Sequence, residues 1–68
     1  MTVAAEVKQC LASLRSIEAS LSSLAILSQD DKARQTIHEA MMTVSETAAD
    51  VQKRAGELER EEAQYQRY

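Results

Sequence analysis

Apolar residues recur along both halves of the chain at spacings that alternate between four and three residues. This period is typical of a helix that packs along one side against another helix. The predicted seam of the first helix comprises Val3, Val7, Cys10, Leu14, Ile17, Leu21 and Leu24. The predicted seam of the second comprises Ile37, Met41, Val44, Ala48, Val51, Ala55 and Leu58. The pattern therefore predicts two amphipathic helices.

A polar stretch, Ser28-Gln29-Asp30-Asp31, separates the two patterns. Ser28 with Asp31 resembles a capping box, and Asp30 is the alternative N-cap of the second helix. A joint this short forces the helices to run antiparallel, so we expect an all-α fold, an antiparallel two-helix hairpin. The expected ranges within one domain over residues 1–68 are helix one at about 3–27, the joint at about 28–30, helix two at about 31–62 and a frayed tail at 63–68. Helix two is then expected to overhang helix one by about one to two turns.

Each apolar stripe is wider than the seam that one partner helix covers. The flanking residues are Leu11, Ala4 and Ala25 in the first half and Ala33, Ala40 and Thr47 in the second. A chain of 68 residues with one cysteine has a small core and no internal disulfide, so oligomerisation is the remaining way to bury more surface. We expect a homodimer in which two hairpins form a four-helix bundle. The candidate dimer core is Val7, Leu11, Leu14, Ile17, Leu21, Leu24, Met41, Val44, Val51 and Leu58.

The charge balance argues against two classes of partner. The formal net charge is −3 and charged residues make up 28% of the chain, whereas nucleic acids and anionic membrane surfaces both reward clustered Lys and Arg. The longest uncharged stretch of apolar character, Ala19 to Gln29, is shorter than the ~18 residues that a membrane span needs. No basic run precedes an apolar stretch at the N-terminus, as a secretory signal requires. We expect a cytoplasmic protein that does not insert into a membrane.

Neither the single histidine nor the single cysteine stands in a catalytic pattern. A zinc-protease helix needs a second histidine four residues after His38, where Met42 stands instead. One histidine and one cysteine cannot form a closed zinc site either. Cys10 occupies a seam position, so we expect a small buried side chain, with a thiol near a dimer axis as the alternative. The sequence therefore predicts no catalysis, no cofactor and no resident metal.

Two features near the C-terminal end each have two interpretations. The glutamates of Glu57-Leu58-Glu59-Arg60-Glu61-Glu62 form a solvated helix end, or Glu57 and Glu61, which share a helix face, form a weak divalent-ion site. Gly56 is a tolerated surface glycine, or it leaves a gap through which another helix approaches.

Both aromatic residues of the chain, Tyr65 and Tyr68, lie beyond the last strong seam residue, Leu58. Tyrosine is enriched at binding surfaces because it combines a large apolar face with a hydroxyl group. The candidate partner-binding residues are Tyr65, Arg67 and Tyr68. The alternative is that Tyr65 caps the end of the bundle while Tyr68 frays.

Three strings of the sequence resemble a known family. They are Met1-Thr2-Val3 with Val7-Lys8-Gln9-Cys10-Leu11-Ala12-Ser13-Leu14 at the start, Ser28-Gln29-Asp30 at the joint and Glu61-Glu62-x-Gln64-Tyr65 near the end. Over nearly the whole chain they are similar to the small bacterial proteins grouped as domain of unknown function 1657. The resemblance implies a source among endospore-forming bacteria and genes near those of spore membrane-channel components. It therefore suggests a role in sporulation, in the forespore or the mother cell.

The resemblance implies no catalytic residues, and this chain departs from the family pattern in one respect. A proline often stands at the level of Lys53-Arg54-Ala55 and of Glu62-Ala63-Gln64, and this chain has none. Helix two is therefore expected to run longer here, and a kink at those places is not expected.

The favoured functional hypothesis is a non-enzymatic, dimeric helical interaction module that acts in sporulation with an unknown protein partner. The alternative is a small regulatory protein that inhibits a signalling kinase or a response regulator. A phosphatase version of this alternative would resemble helical-hairpin phosphatases of sporeformers, which carry Ser-x-x-x-Asp on the second helix. It fails, because no serine here is followed by an aspartate four places later.

Overall fold

The computed structural model describes residues 2–65 and has two helices, α1 (Val3–Leu27) and α2 (Asp31–Tyr65). Three joint residues turn the chain back, so the helices pack against each other as a hairpin, and the described residues form no strand. The all-α prediction is confirmed. α2 continues three residues past its expected end at 62, without a break at the two places where a proline was considered.

α1 begins with two hydrogen bonds to its free backbone N–H groups. Thr2 is extended (φ −86°, ψ 160°), and its Oγ1 accepts a hydrogen bond from Ala5 N at 3.1 Å. Ala4 N donates to Oε1 of Glu62 at 3.0 Å, across the hairpin. Because the first N–H groups of a helix have no partner within it, these two side chains stabilise the start of α1. The Glu62 carboxylate also lies at the positive end of the α1 dipole.

The joint ends α1 and caps α2 with different residues. Ser28 is extended (φ −76°, ψ 134°), and its N–H donates to Leu24 O at 3.0 Å. Asp30 Oδ2 accepts a hydrogen bond from Ala33 N at 3.2 Å, so Asp30 is the N-cap of α2. Of the two predicted caps, Asp30 is therefore right and the Ser28 capping box is wrong, because Ser28 Oγ donates to Asp30 O at 3.4 Å instead.

The predicted seam of α2 faces α1. Ala48 and Ala55 lie in it with 0% and 3% of their surface exposed, and Ala4 of α1 is 4% exposed. The larger seam residues are half-buried: Ile37, Met41, Val44, Val51 and Leu58. Among residues 2–65 these three alanines are the buried hydrophobic residues, and no large side chain is fully buried.

The predicted seam of α1 is half right. Val7, Leu14 and Leu21 face α2 and are half-buried, as expected. The second line that faces α2 comprises Ala4, Leu11, Glu18 and Ala25. The line predicted for that place lies outside: Val3, Ile17 and Leu24 are about half exposed and Cys10 is exposed. The prediction that Cys10 is buried within the hairpin is therefore wrong.

Polar contacts between the helices flank the line of Ala4 and Leu11. Lys8 forms an ion pair with Glu59, and Arg15 Nη2 donates to Gln52 Oε1 at 3.2 Å. Lys8 and Arg15 follow Ala4 and Leu11 by four residues, so these contacts lie beside that line where it faces α2.

Glu18 lies on that same line and keeps its carboxylate at the edge. Its Oε1 lies 3.6 Å from Arg15 Nη1, and its side chain is 28% exposed. A carboxylate on the seam line is therefore neither fully desolvated nor unpaired, which makes this orientation of α1 possible.

α2 overhangs α1 at the end away from the joint. It has 35 residues against 25 in α1, a difference of about 15 Å at 1.5 Å per residue. Because the joint is short, most of this excess projects past Thr2. Glu62 reaches back to Ala4, and Tyr65 lies three residues further along α2. The overhang exceeds the predicted one to two turns because α2 ends at Tyr65.

Candidate interaction surface

The line of α1 that lies outside the seam forms an apolar strip along the hairpin. We name it the apolar flank: Val3, Cys10, Ile17 and Leu24, at seven-residue spacing. Val3, Ile17 and Leu24 are 57%, 49% and 54% exposed. Seven-residue spacing keeps these side chains on one line of the helix, and the line is about 32 Å long at 1.5 Å per residue. A line of exposed apolar side chains such as this one is a candidate interaction site.

The two sides of the hairpin differ in character. On the side opposite the apolar flank, the groove between the helices is closed by the Lys8–Glu59 and Arg15–Gln52 contacts. On the side of the apolar flank, α2 presents a line of residues whose side chains are small near the joint and charged near the other end of the helix. This line comprises Ala33, Ala40, Thr47, Arg54 and Glu61. One side of the hairpin is therefore polar and cross-linked, whereas the other is open and largely apolar.

The charged end of that α2 line has its own partners. Arg54 Nη1 lies 3.0 Å from Glu57 Oε2 and 3.6 Å from Glu61 Oε1. The hydrogen bond that Arg54 donates to the Glu57 carboxylate and the charge of Glu61 raise the pKa of Arg54 above its ordinary value. Glu57 and Glu61, considered above for a divalent ion, thus hold a guanidinium group. Within residues 2–65, no three His, Cys, Asp or Glu side chains are grouped so as to hold a metal ion.

Large apolar side chains are also exposed at both ends of the rod. Near the joint, Ile26 and Leu27 are 80% and 76% exposed, and Leu27 follows Leu24 of the apolar flank by three residues, so these two side chains are neighbours on α1. At the other end Tyr65 is 82% exposed. Tyr65 therefore does not pack on the core of its own hairpin, and the alternative that it caps the end of the bundle stays a prediction.

The predicted dimer-core residues fall into two groups. Ile17 and Leu24 are exposed on the apolar flank. The others are half-buried between α1 and α2: Val7, Leu11, Leu14, Leu21, Met41, Val44, Val51 and Leu58. Of the candidate partner-binding residues, Tyr65 is described above, and Arg67 and Tyr68 lie outside the described residues.

A shallow groove of about 300 Å³ lies where α2 passes the start of α1. Its charged side chains have partners within the hairpin: Lys8 pairs with Glu59, and the Glu62 carboxylate accepts a hydrogen bond from the backbone N–H of Ala4. His38 lies far from this groove, exposed in the joint half of α2. The groove thus brings together none of the residues considered for catalysis.

α1 also meets the length and composition criteria of a membrane-spanning helix. It contains an 18-residue window of mean hydropathy 1.3, none of which is buried in the hairpin. The sequence argument considered only an uncharged stretch, whereas this window includes Arg15 and Glu18. Core helices of soluble proteins and signal sequences meet the same criteria, so the finding is weak evidence, and the absence of membrane insertion stays a prediction.

Residues 7–54 match the family described as "Protein of unknown function (DUF1657)". The chain belongs to this family. The part of this DUF1657 chain that matches contains the joint, most of α1 and α2 as far as Arg54. No curated protein and no solved structure matches the chain significantly. The family resemblance noted from the sequence is therefore confirmed, and it assigns no residue a role.

Two sets of contacts were not predicted from the sequence of this DUF1657 chain. Lys8 and Arg15 are seven residues apart, and so are Gln52 and Glu59. In an antiparallel hairpin this matched spacing is the pattern that could have identified the polar side. The bond from Ala4 N to Glu62 joins residues 58 apart and has no comparable local pattern.

Proposed function

We propose that this protein is a non-enzymatic interaction module that acts as a homodimer, two hairpins packing side by side as a four-helix bundle. The proposal rests on one observation, which is that very little apolar surface is buried in the core of a single chain. Within residues 2–65, full burial is limited to Ala4, Ala48 and Ala55. Burying a Leu or Ile side chain stabilises a fold by roughly 1.5–3 kcal/mol, whereas alanine contributes far less. A second copy supplies the missing burial.

The apolar flank is the surface that this second copy covers. A closed dimer uses the same surface patch on both copies, so the patch must match itself. Side chains at seven-residue spacing match an identical line on another helix, and charged side chains are absent from Val3, Cys10, Ile17 and Leu24. Covering this strip also brings Ala40 and Thr47 of α2 to the interface, and their small size favours close approach.

The test is the mass of the full chain in solution, measured by light scattering at micromolar concentration without detergent. We expect twice the 7.6 kDa of one chain. Ile17→Asp places a charge on the apolar flank and should yield a monomer with reduced helix content, because an unpaired charge is costly to bury. Ala12→Asp is the matched control, since Ala12 is exposed on α1 away from the apolar flank, and it should leave the dimer intact.

Two outcomes contradict the proposal. One is a well-folded monomer at micromolar concentration, with the helix content of the hairpin. The other is a chain that stays in solution only with detergent or binds to lipid vesicles with α1 protected, which favours a membrane role for the hydropathy of α1.

The sporulation role and an unknown protein partner are part of the same proposal, through the family resemblance. A pull-down from sporulating cells distinguishes this role from the regulatory alternative. Spore membrane or coat proteins among the captured material support the interaction module. A kinase or a response regulator supports the inhibitor, and the Ile17→Asp chain is the control for capture that depends on the dimer.

A further inference from the structure

The structure also indicates how the two hairpins of the dimer are oriented relative to each other. This inference rests on the proposed function. A two-fold axis can run along the hairpins, which places both joints at the same end of the dimer. It can instead run across them, which places the joint of each copy beside the open end of the other. We propose the second arrangement: α1 packs antiparallel against the partner's α1, and Tyr65 of each copy covers the joint end of the other.

The apolar flank sets the register of this arrangement. Two antiparallel copies of one evenly spaced line match when Val3 lies beside the partner's Leu24 and Cys10 beside the partner's Ile17. The axis then crosses α1 between Ser13 and Leu14. In this register the partner's α1 covers every residue of the apolar flank. The N-terminal end of the line in one copy lies beside the C-terminal end of the line in the other.

The overhang of α2 decides between the two arrangements. In this register the partner's Leu27 lies just past Thr2, at the place where α1 has ended and α2 continues alone. Tyr65 follows Leu58 by seven residues on the seam line, so it lies on the side of α2 that faces α1. Tyr65 at 82% exposed and the partner's Leu27 at 76% exposed then lie at the same end of the dimer, and the Tyr65 side chain, which leans toward the start of α2, points back toward the partner's joint end.

The arrangement with both joints at one end does not achieve this. Both overhangs of about 15 Å then project together beyond the start of α1, and each Tyr65 is far from Leu24 and Leu27. The exposed tyrosines and the exposed joint ends stay about the length of α1 apart. The crosswise axis therefore places each overhang beside the partner's exposed joint end, whereas the lengthwise axis leaves each overhang with only the other overhang beside it.

The experiment measures the distance between two spin labels in the dimer by pulsed electron paramagnetic resonance. The label is attached at Gln29→Cys in a Cys10→Ala background, because Gln29 is exposed in the joint. We expect about 45 Å, since the two joints lie at opposite ends of helices that rise 1.5 Å per residue. Joints at the same end of a bundle with helices 8–10 Å apart give less than about 25 Å.

The measured distance distinguishes the two arrangements of the dimer. A long distance supports the crosswise axis. A short distance, or a mixture with a substantial short component, overturns it and leaves the proposed dimer standing. A monomeric mass for the labelled chain and for the unaltered chain overturns both. A label at Ala12→Cys is the matched control, because it lies near mid-length and gives about 30 Å or less in either arrangement.

A second measurement tests the contact of Tyr65 itself. Tyr65→Ala should raise the dissociation constant of the dimer about tenfold or more, because truncating a buried tyrosine at an interface commonly has such an effect. Gln64→Ala, at the exposed neighbouring position, should leave it unchanged. Equal dissociation constants for the two variants overturn the contact between Tyr65 and the joint end.

Discussion

Gly56 is the one glycine of the chain, and the structure gives no conformational reason for it. It lies within α2, and no residue from 2 to 65 has a positive φ. A Cβ built at this position meets Nη1 of Arg60 at 3.7 Å, an ordinary van der Waals contact. The interpretation of Gly56 as a tolerated surface glycine therefore fits the single hairpin.

Gly56→Ala should accordingly stabilise the protein by roughly 0.5–1 kcal/mol, because glycine within a helix costs that much relative to alanine. Urea unfolding followed by circular dichroism measures the change. Ala49→Gly is the matched control, one heptad earlier at an exposed position, and should destabilise by a similar amount. A loss of stability in Gly56→Ala contradicts this expectation and favours the other interpretation, a helix approaching closely at Gly56.

At the scale of single elements, the two helices differ in how far their sequences determine which side is buried. In α2 the flanking line of Ala33, Ala40 and Thr47 has small side chains, and the prediction that the other two lines form the seam is right. α1 has three apolar lines, which begin at Val3, Val7 and Ala4. The Val7 line lies in the middle, so it could form the seam with the line on either side. Spacing alone cannot choose between pairs because each has the same period. Contacts with the other helix, at Glu59 and Gln52, decide it.

The joint illustrates the same limit at a helix end. The position and length of the joint could be predicted because polar residues separate the apolar patterns of the two helices there. The choice of cap between Ser28 and Asp30 depends on where the helical backbone begins. Residues 28–30 are not helical and α2 begins at Asp31, so Asp30 directly precedes the helix and caps it.

Asp30→Ala should therefore destabilise the protein by about 1 kcal/mol, because Ala33 N loses its hydrogen-bond partner at the start of α2. Thermal unfolding at fixed protein concentration measures the effect. Ser28→Ala, which removes only the long contact to Asp30 O, is the control and should have a much smaller effect. A larger effect of Ser28→Ala than of Asp30→Ala is the result that contradicts the assignment of Asp30 as N-cap.

For the molecule as a whole, the thiol of Cys10 is a natural probe of association. It is exposed in one hairpin and lies on the apolar flank, so we expect the second copy of the proposed dimer to protect it. Labelling with a thiol reagent should therefore be fast in dilute protein and slow at high concentration, in proportion to the dimer formed. Stopped-flow or timed quenching measures the rates.

A matched chain separates this protection from changes in folding. In Cys10→Ala with Ala12→Cys, the thiol lies on α1 away from the apolar flank, and its labelling rate should not depend on protein concentration. Cys10 labelled as fast in concentrated native protein as in urea is the observation that excludes a dimer through the apolar flank.

The bond between Ala4 N and Glu62 gives the hairpin a particular response to force. Contacts between the helices join residues close in sequence near the joint and residues 58 apart at this bond. When the two termini of one hairpin are pulled apart, tension acts on this bond first and then on the Lys8–Glu59 pair. Each further step separates only the next turn of each helix. A single hairpin therefore opens one helical turn after another from its free end. At each step only a few contacts resist the tension, not the whole interface between the helices.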